Sequence, residues 1–514
     1  MALKIKDIYF GSTDAKNELL HNSEDEKTRF LSSFVQPPTL DVEKFFKRDK
    51  YFVVGLKGTG KTALLRYISL KLERAYGSTS HFVLFKSEID ESIKKDFSKA
   101  SRVQFVEENV NSYDSDDYES VWRWFIYRKI ASIIVDDKSI DQKNENLSPF
   151  LEIVGSELEH KLQRDGIMRL VPSIRKGNIE ISKAPKIELF FDWDSKDTAR
   201  VDFNSVVRRA DEFFKNIPIL NKRIDIFFDE LELNFSSSKQ YQRDARLIRD
   251  LVISIEKVNA TCKAKGYNIC IFAALRSEVL NIVDAIGKEI NKPIYDFGSS
   301  ILWNRAGLDA TQQPLLNIIC QKINMSREIH GFEKIPNSKI WSDYFPDRIH
   351  GRAPQIYILH NSWYRPRDIV RLLLSVQEQY PEETSFLLQG IEAVRKGYST
   401  ASWVELTEEL KAKYRQDDIN GIKYILYGYK SSSSLIEISR RAMEKSEEYK
   451  ETRSLLEKYD IKDVLIDLYR IGVVGNHDRE NDRMRFSFRG DDEILFDRNI
   501  FVHIALRAHL SIFS

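Results

Sequence analysis

Cysteine is scarce in this chain: three residues in 514, Cys262, Cys270 and Cys320, none in CxxC spacing. That scarcity argues against a structural zinc site and a disulfide framework, and it fits a reducing cytosol. Charge of one sign is also missing. Lys+Arg of 79 against Asp+Glu of 78 leaves a net charge of +1, so nothing overall marks a binder of polyanions, although a local patch stays open. No apolar run approaches the length that spans a bilayer, and Met1-Ala2-Leu3-Lys4-Ile5-Lys6-Asp7 has no apolar leader core. The expectation is a cytoplasmic, soluble protein with no membrane partner. With 42% hydrophobic residues the chain can bury more than one core, and two to four domains are expected.

What is present is concentrated in one stretch. Gly55-Leu56-Lys57-Gly58-Thr59-Gly60-Lys61-Thr62 fits GxxxxGK[ST] at every fixed position and follows the apolar run Tyr51-Phe52-Val53-Val54. Glycines let the backbone turn so that successive N–H groups face a phosphate oxyanion. In such a P-loop, Lys61 reaches the β and γ phosphates and the Thr62 hydroxyl sits on Mg²⁺. Lys57 and Thr59 belong to the same cradle, and the following Thr62-to-Ile68 stretch reads as a helix whose positive end faces the anion. The cofactors expected are ATP and Mg²⁺.

A second element has to hold the metal and activate water. Ile224-Asp225-Ile226-Phe227-Phe228-Asp229-Glu230 reads as a buried strand that carries Asp229 to the metal and Glu230 to an attacking water. An ordinary strand with an acidic turn is the bland alternative. Asn268 to Leu275 reads as another buried strand, ending in Arg276, a candidate sensor or arginine finger because its fork stays charged and grips phosphate oxygens. A capping or surface ion pair would explain Arg276 as well. Arg243, Arg246 and Arg249 are weaker candidates across a subunit interface. Arg365-Pro366-Arg367-Asp368 opens a helix with proline early. Arg365 and Arg367 are therefore candidate nucleotide contacts, with plain capping and surface charge as the alternative.

The remaining chain divides by composition. Residues 1–50 form an arm that either covers the adenine or simply docks on the core. Residues 51–300 make the ATPase core, with an inserted α+β element at about 95–215, because about 140 residues separate Phe85 from Asp229. Trp122 and Trp124 are read as core packing rather than a base-stacking platform. Residues 301–400 read as a helical lid. Residues 401–514, after the serine run Ser431 to Ser434, carry two helices and a β-hairpin, the makings of a winged-helix-like domain whose arginines are diluted by acids. Gly475-Asn476-His477-Asp478 is like one block of a metallophosphoesterase, but the companion blocks are absent. Asn221-Lys222-Arg223-Ile224-Asp225 is one residue too long for a guanine-reading NKxD, which favours ATP.

Together, Asp7 to Ala15, the glycine-rich loop, Asp229-Glu230, Leu275-Arg276-Ser277, Arg365-Pro366-Arg367-Asp368 and Val502 to Leu506 resemble a group of bacterial P-loop ATPases akin to STAND and AAA+ proteins, found near phage-defence and mobile-element genes. The resemblance implies an α/β P-loop NTPase core with a parallel sheet, an ATPase with Glu230, Lys61 and Arg276 in catalytic roles, a homo-oligomer, and a separate effector protein as partner. DNA remodelling or loading, with nucleic acid bound through the C-terminal domain, is the competing expectation; a kinase comes third, since no base for an acceptor hydroxyl is visible.

Overall fold

The computed structural model describes residues 3–89, 91, 93, 94, 97, 118–155, 174–175, 178–179, 203–233, 238–284, 288–305, 307–411, 413–478, 483–491 and 493–512. Lys186 to Lys196, within the expected insertion, lie outside the described residues.

The chain begins with an extended arm whose Ile5, Ile8 and Phe10 are buried, followed by helix α1 (Glu24–Ser33), held by a Ser23/Glu26 capping box. Strand β1 (Phe52–Gly55) is buried throughout and turns into helix α2 (Lys61–Tyr76). Helix α2 lacks proline and packs Leu64, Leu65, Ile68 and Leu72 inward, and Gly77, with φ of +60°, ends it. Strand β2 (Thr79–Leu84) follows. Past the short helix Phe85–Glu88 lies helix α3 (Glu119–Asp136). Trp122 and Trp124 on it are buried, and the Trp122 indole N–H donates to Leu247 O at 2.8 Å. The core reading of that pair is the one the structure supports.

Two-residue strands β3 (Ile174–Arg175) and β4 (Asn178–Ile179) pair with each other. Strands β5 (Ile224–Leu231) and β6 (Ile269–Arg276) flank the long helix α4 (Ser238–Lys265), and short β7 (Gly298–Ser300) completes the main sheet. The order is β2-β5-β6-β1-β7, all parallel. Strands covered on both faces become continuous apolar runs, as in Ile-Asp-Ile-Phe-Phe and Ile-Cys-Ile-Phe-Ala-Ala-Leu. The chain leaving β1 travels to one edge of the sheet and the chain leaving β6 to the other. A crevice therefore opens at their carboxyl ends, where sheets of this kind bind ligands.

Beyond the sheet lie helices α5 (Asn317–Ile329), α6 (Pro366–Gln379, proline at its first turn), α7 (Leu388–Leu410) and α8 (Gln416–Leu426). The N-terminal arm is stitched to them. Ile5 N–H donates to Glu383 O at 2.8 Å, Gln377 Nε2 donates to Ile8 O at 2.8 Å, and Lys4 and Lys6 both reach Glu382. The serine run resolves into two uses: β8 (Ser432–Ser433) and the cap of helix α9 (Leu435–Glu448), where Ser434 and Glu437 form a capping box. Helices α10 (Lys450–Lys458) and α11 (Ile461–Arg470) precede β9 (Val474–Asp478), β10 (Arg483–Arg485) and β11 (Ile500–Val502), and the second sheet runs β10-β9-β11-β8. Asn476, in the discounted Gly-Asn-His-Asp segment, is buried and ties the Leu495 and Asn499 backbone to β9, a structural task. Among the described residues, no helix is long and apolar enough to cross a membrane.

Candidate functional site

The crevice is a cleft of about 1210 Å³ at the carboxyl ends of β1, β5 and β6. Its floor is the glycine-rich loop. Gly58 and Gly60 have φ of +81° and +96°, conformations that side chains with a Cβ disfavour, and Arg365 and Arg367 lie in van der Waals reach of a Cβ on Gly58. The loop is pinned from below: the buried Trp303 indole N–H donates to Thr59 O at 2.9 Å and the Thr59 hydroxyl to Leu56 O at 2.8 Å. Lys61 folds back over it, donating to Gly55 O and Leu56 O, both at 2.8 Å. Gly55, Leu56 and Lys61 are thereby held in one ring of contacts at the start of α2.

The two acids sit on a break in the sheet. Phe228 pairs with Ala273 and Leu231 with Leu275, so Asp229 and Glu230 together oppose Ala274. This is a β-bulge, which re-aims side chains next to sites. Glu230 takes φ of +57°, an uncommon conformation for a residue with a side chain. Its Oε1 accepts from Lys16 Nζ at 2.7 Å and its Oε2 from Ser87 Oγ at 2.9 Å.

Asp229 is 4% exposed. Its Oδ1 accepts the Glu230 N–H at 2.8 Å, whereas Oδ2 is sealed and makes no hydrogen bond of ordinary geometry among the described residues. Burial raises its pKa, against the pull of the Thr62 hydroxyl and the Lys61 ammonium. An orphaned buried carboxylate oxygen beside a threonine hydroxyl is a hard-oxygen pair of the kind that suits Mg²⁺, which keeps several other ligands from phosphate and water. Among the described residues no three His, Cys, Asp or Glu side chains form a metal cage of their own.

Arg276 reaches the cleft from the end of β6 but is ion-paired to Glu232. Burial would raise the Glu232 carboxyl, but Arg276 and Lys86 hold it below its ordinary value. Lys57 lines the cleft, and burial lowers its pKa. Arg367 also lines it, donating to Thr13 O at 3.0 Å and to Glu405 Oε1 at 2.8 Å, while its backbone N–H approaches Gly58 O at 3.4 Å. Arg365 is buried behind the loop and does not line the cleft. Arg243 lies elsewhere, on Glu91 and Asp244, and Arg249 is held by Asp250.

Several cleft residues carry no local signal in the sequence. Ser12 to Ala15 and Glu18 of the arm form part of the wall, and Lys16 reaches Glu230. Phe30, Phe34 and Ile318 make an apolar end, where Phe34 stacks on Tyr67 at 4.1 Å. Lys322, on α5, is buried there, its pKa lowered by burial, 5.2 Å from the Tyr9 ring.

The molecule thus belongs to the α/β proteins, with an all-parallel main sheet and a crevice at its carboxyl edge. Residues 313–407, less than half of the chain, match the family described as the FunZ-associated C-terminal helical domain. That segment spans α5 to most of α7 and supplies Lys322, Arg367 and Glu405 around the cleft. No curated protein matches the chain.

Proposed function

We propose that the cleft binds ATP with Mg²⁺ and hydrolyses it, and that the protein is a P-loop ATPase acting as an oligomeric switch on a separate effector in bacterial anti-phage defence. The carrying observation is the meeting, in one cleft, of the glycine loop, Lys61, Thr62, the buried Asp229 carboxylate and Glu230 on its bulge. The FunZ-associated match over residues 313–407 supports the defence setting.

Magnesium held by Thr62 and Asp229 would neutralise charge on the phosphates. Lys61 exchanges its two carbonyl acceptors for phosphate oxygens. Glu230, once released by Lys16, accepts a proton from the attacking water. Arg276 and Arg367 supply positive charge to the outer phosphate, and Phe30, Phe34 and Ile318 offer the base an apolar berth. The test is a pair of variants. Lys61→Ala should abolish binding of a fluorescent ATP analogue. Glu230→Gln should keep that binding while turnover drops at least ~10-fold; hydrolysis at the wild-type rate would remove Glu230 from the mechanism.

The α9-α10-α11 and β9-β10 order favours a second reading, a winged-helix-like domain that loads or remodels DNA. The wing arginines argue for protein contact instead: Arg489 lies over the Tyr364 ring at 5.3 Å and Arg485 faces Asp491 at 3.6 Å. Turnover stimulated by DNA and binding that weakens steeply with salt would favour the DNA reading.

A further inference from the structure

At the opposite edge of the main sheet, where β1, β5 and β6 begin, lies a cavity of about 1710 Å³. Lys47, Arg48, Arg223 and Lys263 line it, and among the described residues no Asp or Glu does. The cleft at the carboxyl edge, by contrast, contains Asp14, Glu18, Asp229, Glu230 and Glu232.

Arg223 is the centre of this second cavity. It is only 7% exposed. Its Nε donates to Asp225 Oδ2 at 2.8 Å and one terminal nitrogen to Phe46 O at 2.9 Å. The other terminal nitrogen is sealed from solvent and makes no hydrogen bond, and such a buried donor is costly unless something accepts from it. Behind it, Asp225 is fully buried and also takes the Ser78 hydroxyl, so the carboxylate sits under the guanidinium rather than in the cavity.

Arg48 stands on a backbone with φ of +63°. Its guanidinium donates to Tyr267 O and to Asn268 Oδ1, the latter at 3.0 Å. Lys263 pairs with Asp49 at 3.2 Å on the rim, where both are exposed. The walls are aromatic. Tyr51 and Phe297 stack at 4.9 Å, and Tyr76, 56% exposed, holds its ring 5.3 Å from the Arg223 guanidinium. The buried Cys262 and Cys270 thiols are pushed up by desolvation, Cys262 to about 12, so they contribute apolar surface and not thiolate.

We propose that this cavity is a second ligand site, separate from the carboxyl-edge cleft, that takes a small molecule with a flat aromatic ring and an anionic group. The anion sits in the combined field of Arg223, Lys47 and Lys263, and the ring lies against Tyr76 and the neighbouring aromatic wall.

The probe is 8-anilinonaphthalene-1-sulfonate, titrated into the full chain and followed by its fluorescence. One saturable site is expected, unchanged in Lys61→Ala and unaffected by ATP. Arg223→Met should weaken it at least tenfold. Because that change uncovers buried Asp225, the exposed double variant Lys47→Glu/Lys263→Glu, matched to wild type in thermal melting, decides independently and should weaken binding at least fivefold. Probe affinity unaltered in the rim variant, or probe displaced by ATP and lost in Lys61→Ala, overturns the proposal.

Discussion

Asp229 shows, at the level of one side chain, the cost of burying a carboxylate. Burial raises its pKa, so at neutral pH the ionised carboxylate is held at a penalty. In linkage terms, the folded state binds the proton more readily than the unfolded chain, and stability from this group falls as pH rises from the ordinary aspartate range through the raised value. Asp229→Asn keeps the acceptor for the Glu230 N–H and removes the charge. Without nucleotide, the variant is expected to melt at a higher temperature than wild type at pH 7.5, with the gap shrinking toward pH 4, and to lose magnesium-dependent nucleotide binding. Scanning calorimetry across that pH range checks the first part. A variant that melts lower throughout would mean that the carboxylate stabilises the fold.

At the scale of elements, close packing replaces charge as the constraint. Helices α8 and α10 meet at Gly421, where a Cβ would stand 2.7 Å from Glu451 O. Gly421→Ala is expected to destabilise the C-terminal region by about 1–3 kcal/mol, read as a lower urea midpoint with unchanged slope. Which elements were legible in the sequence follows the same logic of local against distant information. Strand β5 announces itself as an apolar run ending in Asp229-Glu230, and the glycine loop is one contiguous segment. The bulge at that strand's end is invisible in sequence because it depends on the register against Ala274. Strand β7 is Gly-Ser-Ser, with no apolar content to mark it, and β8 hides in a run of serines that reads as a break. Helix α4 runs from Ser238 to Lys265, and its polar outer turns carry no periodic apolar signal that would mark its ends. The cleft shows the same divide. Lys16 meets Glu230 across 214 positions and Trp303 meets Thr59 across 244, and neither pairing leaves a trace in local spacing.

Across the whole molecule, the turn that leads into α6 joins distant parts. Trp363 and Tyr364 both take left-handed φ, +45° and +53°. The Trp363 indole donates to Gly472 O at 2.8 Å and stacks on His503 at 4.0 Å, immediately before Arg365 packs behind the glycine loop. Burial, reinforced by His360, Arg507 and Arg365, drives the His503 pKa well below 6.5. The unfolded chain therefore takes up a proton near pH 6.5 that the folded one refuses. Stability from this group is intact above that pH and falls below it, by at most about 1.4 kcal/mol per pH unit. His503→Phe should blunt the drop in melting temperature between pH 7.5 and 5; an undiminished drop would assign it to other groups. The stitching of the arm to Gln377, Glu382 and Glu383 has a consequence in time. The arm leaves the ribosome well ahead of those partners, roughly 20–80 s at about 5–20 residues per second, so a nascent chain carries Ile5, Ile8 and Phe10 uncovered through that interval.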